Sequence, residues 1–333
     1  MLMRSSRLFW LVSSRLRALD VVLLIALLMA SWTAHAQYPN RPVRLVVGFA
    51  PGGSDNSARI IAHRLSQLWG QQIVVDNKPG AAGNIGAEIV AKAPPDGYTL
   101  LVCVNSYTIN TSVYRQLNWD LLKDFAPVGR FAVSPMVVVV NEKSPIKSLA
   151  ELVSHVKNQN GKLNYGSAGT GTAPHLVVEQ FTHDLGLNIT HIPYKGSAPS
   201  VTALLTDEVQ LAFGAQSAFE AFIKSGRLRA LAVTTTQRQE SMPDVPTIKE
   251  AIKLDFDADI WYGLLAPEKT PDHVIKKINQ DLRKVLAEPE IQSKLRQTGV
   301  TPAYLSPQDM AQLMRRDVAR WREVAQRIQL TMD

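Results

Sequence analysis

The chain has 333 residues, of which 46% are hydrophobic and 20% charged, and its formal net charge is +7. This length allows one large domain or two ordinary ones with a substantial core, and the positive charge, three units of which fall within residues 1–36, forms no Lys/Arg cluster or aromatic-basic stripe that would bind nucleic acid. The single cysteine excludes an intrachain disulfide, and the seven histidines lack the spacing of a metal motif, so no metal site is expected.

Residues 1–36 have the pattern of an export signal. Four arginines precede an apolar run from Val21 to Ala30, and Ala34-His35-Ala36 is a small-x-small cleavage site, so we expect Sec-type export and cleavage after Ala36. The alternative is a membrane anchor, but about ten uninterrupted apolar residues fall short of the roughly 20 that span a bilayer. No cysteine follows the run and no Arg-Arg pair precedes it, which disfavours a lipoprotein anchor and the twin-arginine route.

Residues 43–59, VRLVVGFAPGGSDNSAR, run from a strand through a Pro-Gly-Gly turn into a helix. The apolar run predicts a strand buried on both faces of a parallel sheet, and apolar residues then recur at helical spacing. Gly52 and Gly53 leave backbone amides bare, and Ser54 or Asp55 is expected to cap the helix. Free amides at a helix start favour a carboxylate or phosphate, although a tight turn without a ligand is the alternative. The missing Gly-Lys-Ser/Thr excludes a nucleotide P-loop.

The next elements, up to residue 104, complete a β-α-β-α-β unit. A strand at 72–77 is followed by a glycine-rich loop and helix, a turn, and the strand YTLLVCV, in which Cys103 is expected to be a core residue rather than a nucleophile. In such a sheet, ligands bind at the carboxyl ends of the strands. The segments that follow strand ends are therefore expected to share one rim: residues 49–55, 81–86 and 105–108.

A second α/β series begins after the strand at 137–141. Its first loop, residues 167–174 (SAGTGTAP), combines three hydroxyls with two glycines and places Pro174 in the first turn of a helix, with His175 on one face of that helix. We interpret this loop as a second anion-type loop. Further strands are expected at 189–194, 209–213 and 228–234, with helices between them.

A strand at 259–266 precedes two more helices. Thr270-Pro271 and Ser306-Pro307 each place a capping residue before a first-turn proline, which predicts helix starts. The last helix has one apolar stripe, which indicates core packing and no cofactor site: Met310, Leu313, Met314, Val318, Trp321, Val324 and Ile328.

Two α/β units, each with an anion-type loop, can face each other across a cleft. The strands at 136–141 and 259–266 are the natural crossings, which places one lobe at 37–138 plus 260–333 and the other at 139–259. Two crossings form a hinge that can close on a ligand touching both lips. An exported, disulfide-free, two-lobed chain without a catalytic constellation is typical of a solute receptor.

Ordered motifs extend over essentially the whole exported part of the chain. They are residues 38–42 (YPNRP), 47–59, 77–86 (NKPGAAGNIG), 95–100 (PDGYTL), 163–167 (LNYGS) with Gly169 and His175, 193–196 (PYKG), 226–232 (GRLRALA), 243–247 (PDVPT) and 261–263 (WYG). Together these motifs resemble those of the substrate-binding proteins of tripartite tricarboxylate transporters, the Bug or TctC-type family.

The resemblance implies an α/β, two-lobed periplasmic binding protein of type II (Venus flytrap), each lobe a mostly parallel sheet flanked by helices. Such a protein captures a small carboxylate, whether a di- or tricarboxylate or an aromatic acid, and delivers it to a membrane permease. The resemblance implies no catalysis, no cofactor and a monomer. It also leads us to expect these ligand-binding residues: Phe49, Pro51, Gly52, Gly53, Ser54, Asp55, Asn105, Ser106, Ser167, Ala168, Gly169, Thr170, Thr172, His175, Tyr194, Lys195, Gly214 and Ala215.

One segment departs from the family pattern. Many relatives have an acidic residue at two positions where this chain has Gln210 and Gly214. Loss of a carboxylate beside the cleft should disfavour a ligand with an ammonium group, so a plain or aromatic carboxylate is expected rather than an amino acid. Asp55 and Glu220 remain as other carboxylates nearby in sequence. Restoring the charge with Gly214→Asp is expected to weaken binding of an unaminated dicarboxylate.

Two alternatives stay open. Ser167 and His175 could indicate a hydrolase, but no serine has a Gly-x-Ser-x-Gly elbow around it. A receptor of this type could also present its ligand to a sensor kinase instead of a permease, and the amino-acid sequence does not separate these two partners.

Overall fold

The computed structural model describes residues 38–159 and 163–332, and the predicted export signal at 1–36 lies outside the described residues. The chain divides into two compact units, residues 1–40 and residues 41–333. The elements below belong to the second unit. None of the helices in the described part of the chain is long and apolar enough to cross a membrane.

Ten strands form a mixed sheet in the described part of the chain. They are β1 (Val43–Val47), β2 (Ile73–Asn77), β3 (Thr99–Val104), β4 (Phe125–Asn141), β5 (Asn164–Ser167), β6 (Thr190–Pro193), β7 (Leu211–Ala215), β8 (Leu228–Val233), β9 (Asp259–Pro267) and β10 (Thr301–Leu305). Their order is β2-β1-β3-β9-β4-β7-β5-β6, and β8 and β10 also pair with β4. β1 is parallel to β2 and β3, and β5 is parallel to β6 and β7, which gives two parallel groups.

The long strand β4 changes partners along its length. Residues 125–135 pair antiparallel with β9, whereas residues 136–141 pair with β7 and β8. Strands are therefore present at both positions where a crossing was predicted, but β4 begins well before residue 136. Shifts in the pairing register near Pro127 and Gly129 accommodate residues that disfavour a regular strand.

The carboxyl ends of the two parallel groups lie beside the same stretch of β4. At the end of β3, Val104 pairs with Tyr262 of β9, which in turn pairs with Ala132 of β4. At the end of β7, Ala215 pairs with Met136 of β4. Because Ala132 and Met136 are close along one strand, the loops that follow both groups of strands are brought into the same region.

Helices cover the sheet in the order expected for an α/β fold. In the described residues they are α1 (Gly53–Trp69), α2 (Asn84–Ala91), α3 (Ser106–Val113), α4 (Leu149–Gln159), α5 (Ala173–Leu185), α6 (Ser197–Leu205), α7 (Gln216–Lys224), α8 (Ile248–Ile252), α9 (Asp272–Ala287), α10 (Pro289–Gln297) and α11 (Pro307–Arg327), with a 3-10 turn at Ala81–Gly83 before α2. The alternation of strands and helices confirms the α/β prediction.

The predicted packing stripe of the last helix is confirmed by its burial. Met310, Met314, Trp321 and Val324 of α11 are all buried, and the Ser306 side chain caps the helix by accepting a hydrogen bond from the amide of Asp309. The predicted core role of Cys103 fits as well, because this residue is fully buried and burial raises the pKa of its thiol.

Candidate functional site

The first anion-type loop connects β1 to α1. Gly52 is the N-cap residue of α1, and no side chain caps this helix start. The predicted cap by Ser54 or Asp55 is wrong, because α1 already begins at Gly53 and both residues lie within its first turn. Among the described residues, a Cβ atom on Gly52 would have only the carbonyl oxygen of Ala50 within 4 Å, at 3.9 Å, so this face of the loop is open. The first-turn amides of α1 thus have the arrangement that binds an anion.

Asp55 holds this loop in place. This residue is only 2% exposed, and its two carboxylate oxygens accept hydrogen bonds from Arg59 Nε and Asn77 Nδ2, both at 2.9 Å. Asn77 Nδ2 also donates to the carbonyl oxygen of Phe49 at 3.0 Å. The carboxylate therefore ties the start of α1 and the loop backbone to the end of β2.

A tight glycine contact lies behind the same loop. A Cβ atom on Gly48 would overlap the Tyr107 hydroxyl and would lie 2.8 Å from the carbonyl oxygen of Gly83. Tyr107 Oη donates to that same carbonyl at 3.3 Å, and the Phe49 ring packs on Gly83. The end of β1, the 3-10 turn and α3 are thereby packed together, as expected for segments on one rim.

The 3-10 turn has backbone strain that a substitution can test. Ala81 and Ala82 have φ angles of 46° and 52°, in the left-handed region. Asn110 Nδ2 donates to the carbonyl oxygen of Ala82 at 3.1 Å and supports this conformation. Glycine adopts it without a steric penalty, so Ala82→Gly is expected to raise the free energy of unfolding by about 0.5–1 kcal/mol in urea denaturation.

The same substitution inside a helix, Ala221→Gly in α7, should instead lower the free energy of unfolding by up to about 1 kcal/mol. A lower free energy of unfolding in both variants would contradict the conclusion that the backbone at Ala82 is strained.

The residues that follow β3 make hydrogen bonds to β9 and to the start of α5. Asn105 is 2% exposed, and its Nδ2 donates to the carbonyl oxygen of Asp259 at 2.8 Å. The neighbouring Ser106 Oγ accepts a hydrogen bond from the amide of Ala173 at 3.3 Å. The starts of α3 and α5 are therefore in direct contact, and the second anion-type loop lies beside the rim of β3.

Side chains fix the second loop from within. Ser167 Oγ lies 2.7 Å from His191 Nε2 and accepts from the amide of Gly169 at 3.1 Å. Thr172 Oγ1 donates to the carbonyl oxygen of Gly169 at 2.7 Å, and His175 Nδ1 accepts from the amide of Gly171 at 3.1 Å. Three of the predicted ligand-binding side chains, those of Ser167, Thr172 and His175, thus hold the loop backbone in its conformation.

Below this loop lies a stack of three rings. The centroids of Tyr165 and His191 are 4.8 Å apart, and those of His191 and His175 are 4.0 Å apart. Burial lowers the pKa of His191 to about 4, and burial together with the charge of His191 lowers the pKa of His175 to about 3. Both histidines are therefore neutral at pH 7, as the acceptor role of His175 Nδ1 requires. Ser167 faces His191 and not His175, so the suspected Ser167–His175 pair is not formed.

The turn after β6 is joined to the second loop by its backbone. The amides of Tyr194 and Gly196 donate to the carbonyl oxygens of Ser167 and Ala168, both at 3.1 Å. Lys195 is exposed and makes no ion pair with a described residue. Thr170 likewise has no hydrogen-bond partner in the described part of the chain. Its hydroxyl and the Lys195 ammonium remain available beside the second loop.

Gly214 and Ala215 lie at the end of β7, where Ala215 is the N-cap residue of α7. A Cβ atom on Gly214 would lie 2.7 Å from Cε2 of Phe219, a ring that is itself buried. Gly214→Asp would therefore displace this ring as well as add a charge, and the substitution cannot serve as a clean charge test.

No metal centre is evident where the chain is described. Within residues 38–159 and 163–332, no group of three or more His, Cys, Asp or Glu residues is placed to hold a metal ion.

Comparison with known proteins gives consistent matches over most of the chain. The family model described as "Tripartite tricarboxylate transporter family receptor" (TctC) matches residues 57–330. The chain is 36% identical over 306 residues to the "UPF0065 protein in tcbD-tcbE intergenic region" of Pseudomonas sp. strain P51, covering 90% of this chain and 91% of that protein.

Two solved structures from Rhodopseudomonas palustris are similar in fold. Rpa4515 with adipate has a TM-score of 0.85 and 36% identity, covering 89% of this chain and 99% of that one. MatC (Rpa3494) with bound malate has a TM-score of 0.79 and 29% identity, covering 86% and 99%.

Proposed function

Because the chain belongs to the tripartite tricarboxylate transporter receptor (TctC) family, whose members are periplasmic solute-binding proteins, we propose that it captures a small dicarboxylate for delivery to a membrane permease. One carboxylate lies over the amides at the start of α1, and the other lies against the loop at 167–172. Residues 1–36 are removed on export to the periplasm, and the protein acts as a monomer without a cofactor.

The observation that carries this proposal is the contact between the two rims. The start of α1 has no capping side chain, whereas at the start of α5 the amide of Ala173 already donates to Ser106 Oγ and Pro174 has no N–H. The hydrogen bond from the amide of Ala173 to Ser106 Oγ brings the second loop to the rim of the first strand group. The amides at the start of α1 suit one carboxylate, and the Thr170 hydroxyl and the exposed Lys195 beside the second loop suit another at the far end of the same ligand. Adipate and malate, found in the two similar structures, are both dicarboxylates.

The lobes and hinge are part of the same proposal. We assign residues 37–138 plus 260–333 to one lobe and 139–259 to the other. The change of partners along β4, from β9 to β7 and β8 near residues 135–136, supports a hinge there. Closure about this hinge would bring both loops onto one ligand.

The carboxylates near the loops favour a ligand without an ammonium group. Asp55 is held by Arg59 and Asn77, and Glu220 is held by Lys224. An ammonium group would need an uncommitted acceptor, and these two candidates are already paired. The exposed Lys195 and the Thr170 hydroxyl instead add donors that suit a carboxylate.

Substitutions of Gly52 test whether the loop before α1 binds one carboxylate of the ligand. Gly52→Ala and Gly52→Leu place increasing bulk on the open face of the loop, where the first added carbon meets only the carbonyl oxygen of Ala50 within 4 Å among the described residues. The dissociation constant for the bound acid, measured by isothermal titration calorimetry, is expected to rise about tenfold for Ala and more for Leu. The thermal midpoint of the ligand-free protein should stay within about 2 °C. Unchanged affinity in the Leu variant would remove this loop from the site.

A further inference from the structure

The segment that follows α11 turns back onto the end of α3. The amide of Met332 donates to the carbonyl oxygen of Val113 at 2.6 Å, and the amide of Arg115 donates to the carbonyl oxygen of Met332 at 3.0 Å. Tyr114 and Met332 form a parallel bridge between these two bonds. Met332 is therefore fixed to the end of α3 through its backbone on both sides.

The Met332 side chain contacts the second anion-type loop. Gly171 has a φ angle of 76°, and a Cβ atom on it would lie 2.9 Å from Met332 Sδ and 3.4 Å from Cε2 of Tyr114. The amide of Gly171 is bound to His175 Nδ1. Gly171 is thus held by its amide and covered by Met332 and Tyr114.

α3 contacts the same loop at both of its ends. At its start, Ser106 Oγ accepts from the amide of Ala173, and at its end Tyr114 and Met332 cover Gly171. Between these contacts, α3 packs in one hydrophobic core with α5 and α11. Members of that core are Ile109 and Val113 of α3, Leu176 and Val177 of α5, and Trp321 and Val324 of α11, with Met332 packed against it.

We propose that Met332, supported by Tyr114, is a positioning residue for the loop at 167–172. By closing the space over Gly171, it keeps the loop in the conformation that presents the Thr170 hydroxyl to a ligand. The effect on affinity rests on the proposed carboxylate-binding function, whereas the effect on loop order does not.

The test compares Met332→Ala with Leu330→Ala. Leu330 packs against the same core and lies two residues away, so its truncation reports on the general loss of packing. Hydrogen–deuterium exchange of the ligand-free proteins is measured across residues 169–173, where the amides of Gly169, Gly171, Thr172 and Ala173 are protected by hydrogen bonds to Ser167 Oγ, His175 Nδ1, the carbonyl oxygen of Gly169 and Ser106 Oγ. We expect exchange there to be at least tenfold faster in Met332→Ala and unchanged in Leu330→Ala, although both lower the thermal midpoint.

Affinity for adipate and for malate is measured in the same variants by isothermal titration calorimetry. We expect a five- to tenfold rise in the dissociation constant for Met332→Ala and less than a twofold change for Leu330→Ala. Gly171→Ala should weaken binding as well, and its effect should be smaller in the Met332→Ala background, because the atom nearest to the added Cβ is then gone while the strain of the positive φ remains.

Unchanged exchange at 169–173 in Met332→Ala, with a loss of thermal midpoint equal to that of Leu330→Ala, would overturn the proposal and leave Met332 a packing residue. Faster exchange without any change in affinity would also overturn it, because loop order would then not matter for binding. If the unaltered protein binds neither acid nor any other carboxylate, the proposed function fails. The exchange result then still decides whether Met332 orders the loop.

Discussion

Replacing Gly48 with alanine is expected to lower the free energy of unfolding by about 3 kcal/mol. The new Cβ would overlap the Tyr107 hydroxyl and press on the carbonyl oxygen of Gly83 at 2.8 Å. Gly86 also packs tightly on this residue, because a Cβ on Gly86 would lie 2.7 Å from the Cα of Gly48. None of these neighbours has free space, since Tyr107 is fully buried and two of the contacts are with backbone. Urea denaturation followed by circular dichroism measures the loss.

A second substitution shows whether the overlap with the Tyr107 hydroxyl causes the loss of stability in Gly48→Ala. Tyr107→Phe removes the atom nearest to the added Cβ, so the double variant Gly48→Ala/Tyr107→Phe should lose less stability than the two single variants added together. The recovery is expected to be partial because the carbonyl of Gly83 remains. Gly52→Ala, with open space around its Cβ, is the matched control for stability. Equal losses of unfolding free energy in Gly48→Ala and Gly52→Ala would contradict the conclusion that Gly48 is tightly packed against Tyr107 and Gly83.

Acidification is expected to destabilise the protein through the ring stack below the second loop. Burial lowers the pKa of His191 to about 4 and of His175 to about 3 in the folded state, against an ordinary value near 6.5. Between these values the unfolded chain binds more protons than the folded one. The contribution of each histidine is therefore fully present above about pH 6.5 and falls by about 1.4 kcal/mol per pH unit below it.

Buried carboxyls act in the opposite direction. Burial and the neighbouring Asp257 raise the pKa of Asp259 to about 6, and burial raises the pKa of Asp317. A raised carboxyl pKa adds stability as the pH falls, so the total pH dependence of the protein mixes both signs. The histidine contribution is best isolated as a difference between variants in which these carboxyls are unchanged.

His191→Phe isolates this contribution. The phenyl ring can keep the stack between Tyr165 and His175 but binds no proton. Between pH 7 and pH 5 the variant is expected to lose about 2 kcal/mol less unfolding free energy than the unaltered protein, measured by urea denaturation at each pH. His273→Gln, at an exposed position of α9, is the matched control for the replacement of a histidine. If the unfolding free energies of His191→Phe and the unaltered protein change with pH in the same way, burial of His191 in the stack does not lower its pKa.

Local patterns in the sequence were sufficient for much of the fold. The run at 43–59 predicted β1, the glycine turn and α1, and the stripe beginning at Met310 predicted the packing face of α11. The start of β4 was missed because Pro127 and Gly129 suggest a loop, whereas the structure absorbs them with shifts in pairing register. β10, which contains Pro302, was missed for a similar reason.

Contacts that depend on strand register or on distant segments could not be predicted in this way. His191 lies beside Tyr165 because β5 and β6 pair in parallel in that register, and no local pattern encodes this. The contact of Met332 with Gly171 joins residues far apart in the chain. Asp55 was expected as a cap or a ligand contact, and its pairing with Asn77 became evident only once β2 was placed beside β1.

Gly214 illustrates how a substitution in a family motif can be explained by packing. The family pattern led us to expect an acidic residue at this position, and the Phe219 ring lies where a side chain here would extend. The absence of a carboxylate here agrees with the paired state of Asp55 and Glu220. All three features favour a ligand without an ammonium group.

The most direct test of this account is a thermal-shift comparison of matched acid pairs on the chain starting at Gln37. The pairs are succinate with aspartate, glutarate with glutamate, and adipate with 2-aminoadipate, applied after denaturation, dialysis and refolding to remove any copurified ligand. A ligand at 100 times its dissociation constant adds about 2.7 kcal/mol, a shift of roughly several degrees. The account predicts such a shift with at least one plain dicarboxylate and none with its aminated counterpart. Shifts with the amino acids alone, or with no acid in the panel, would contradict it.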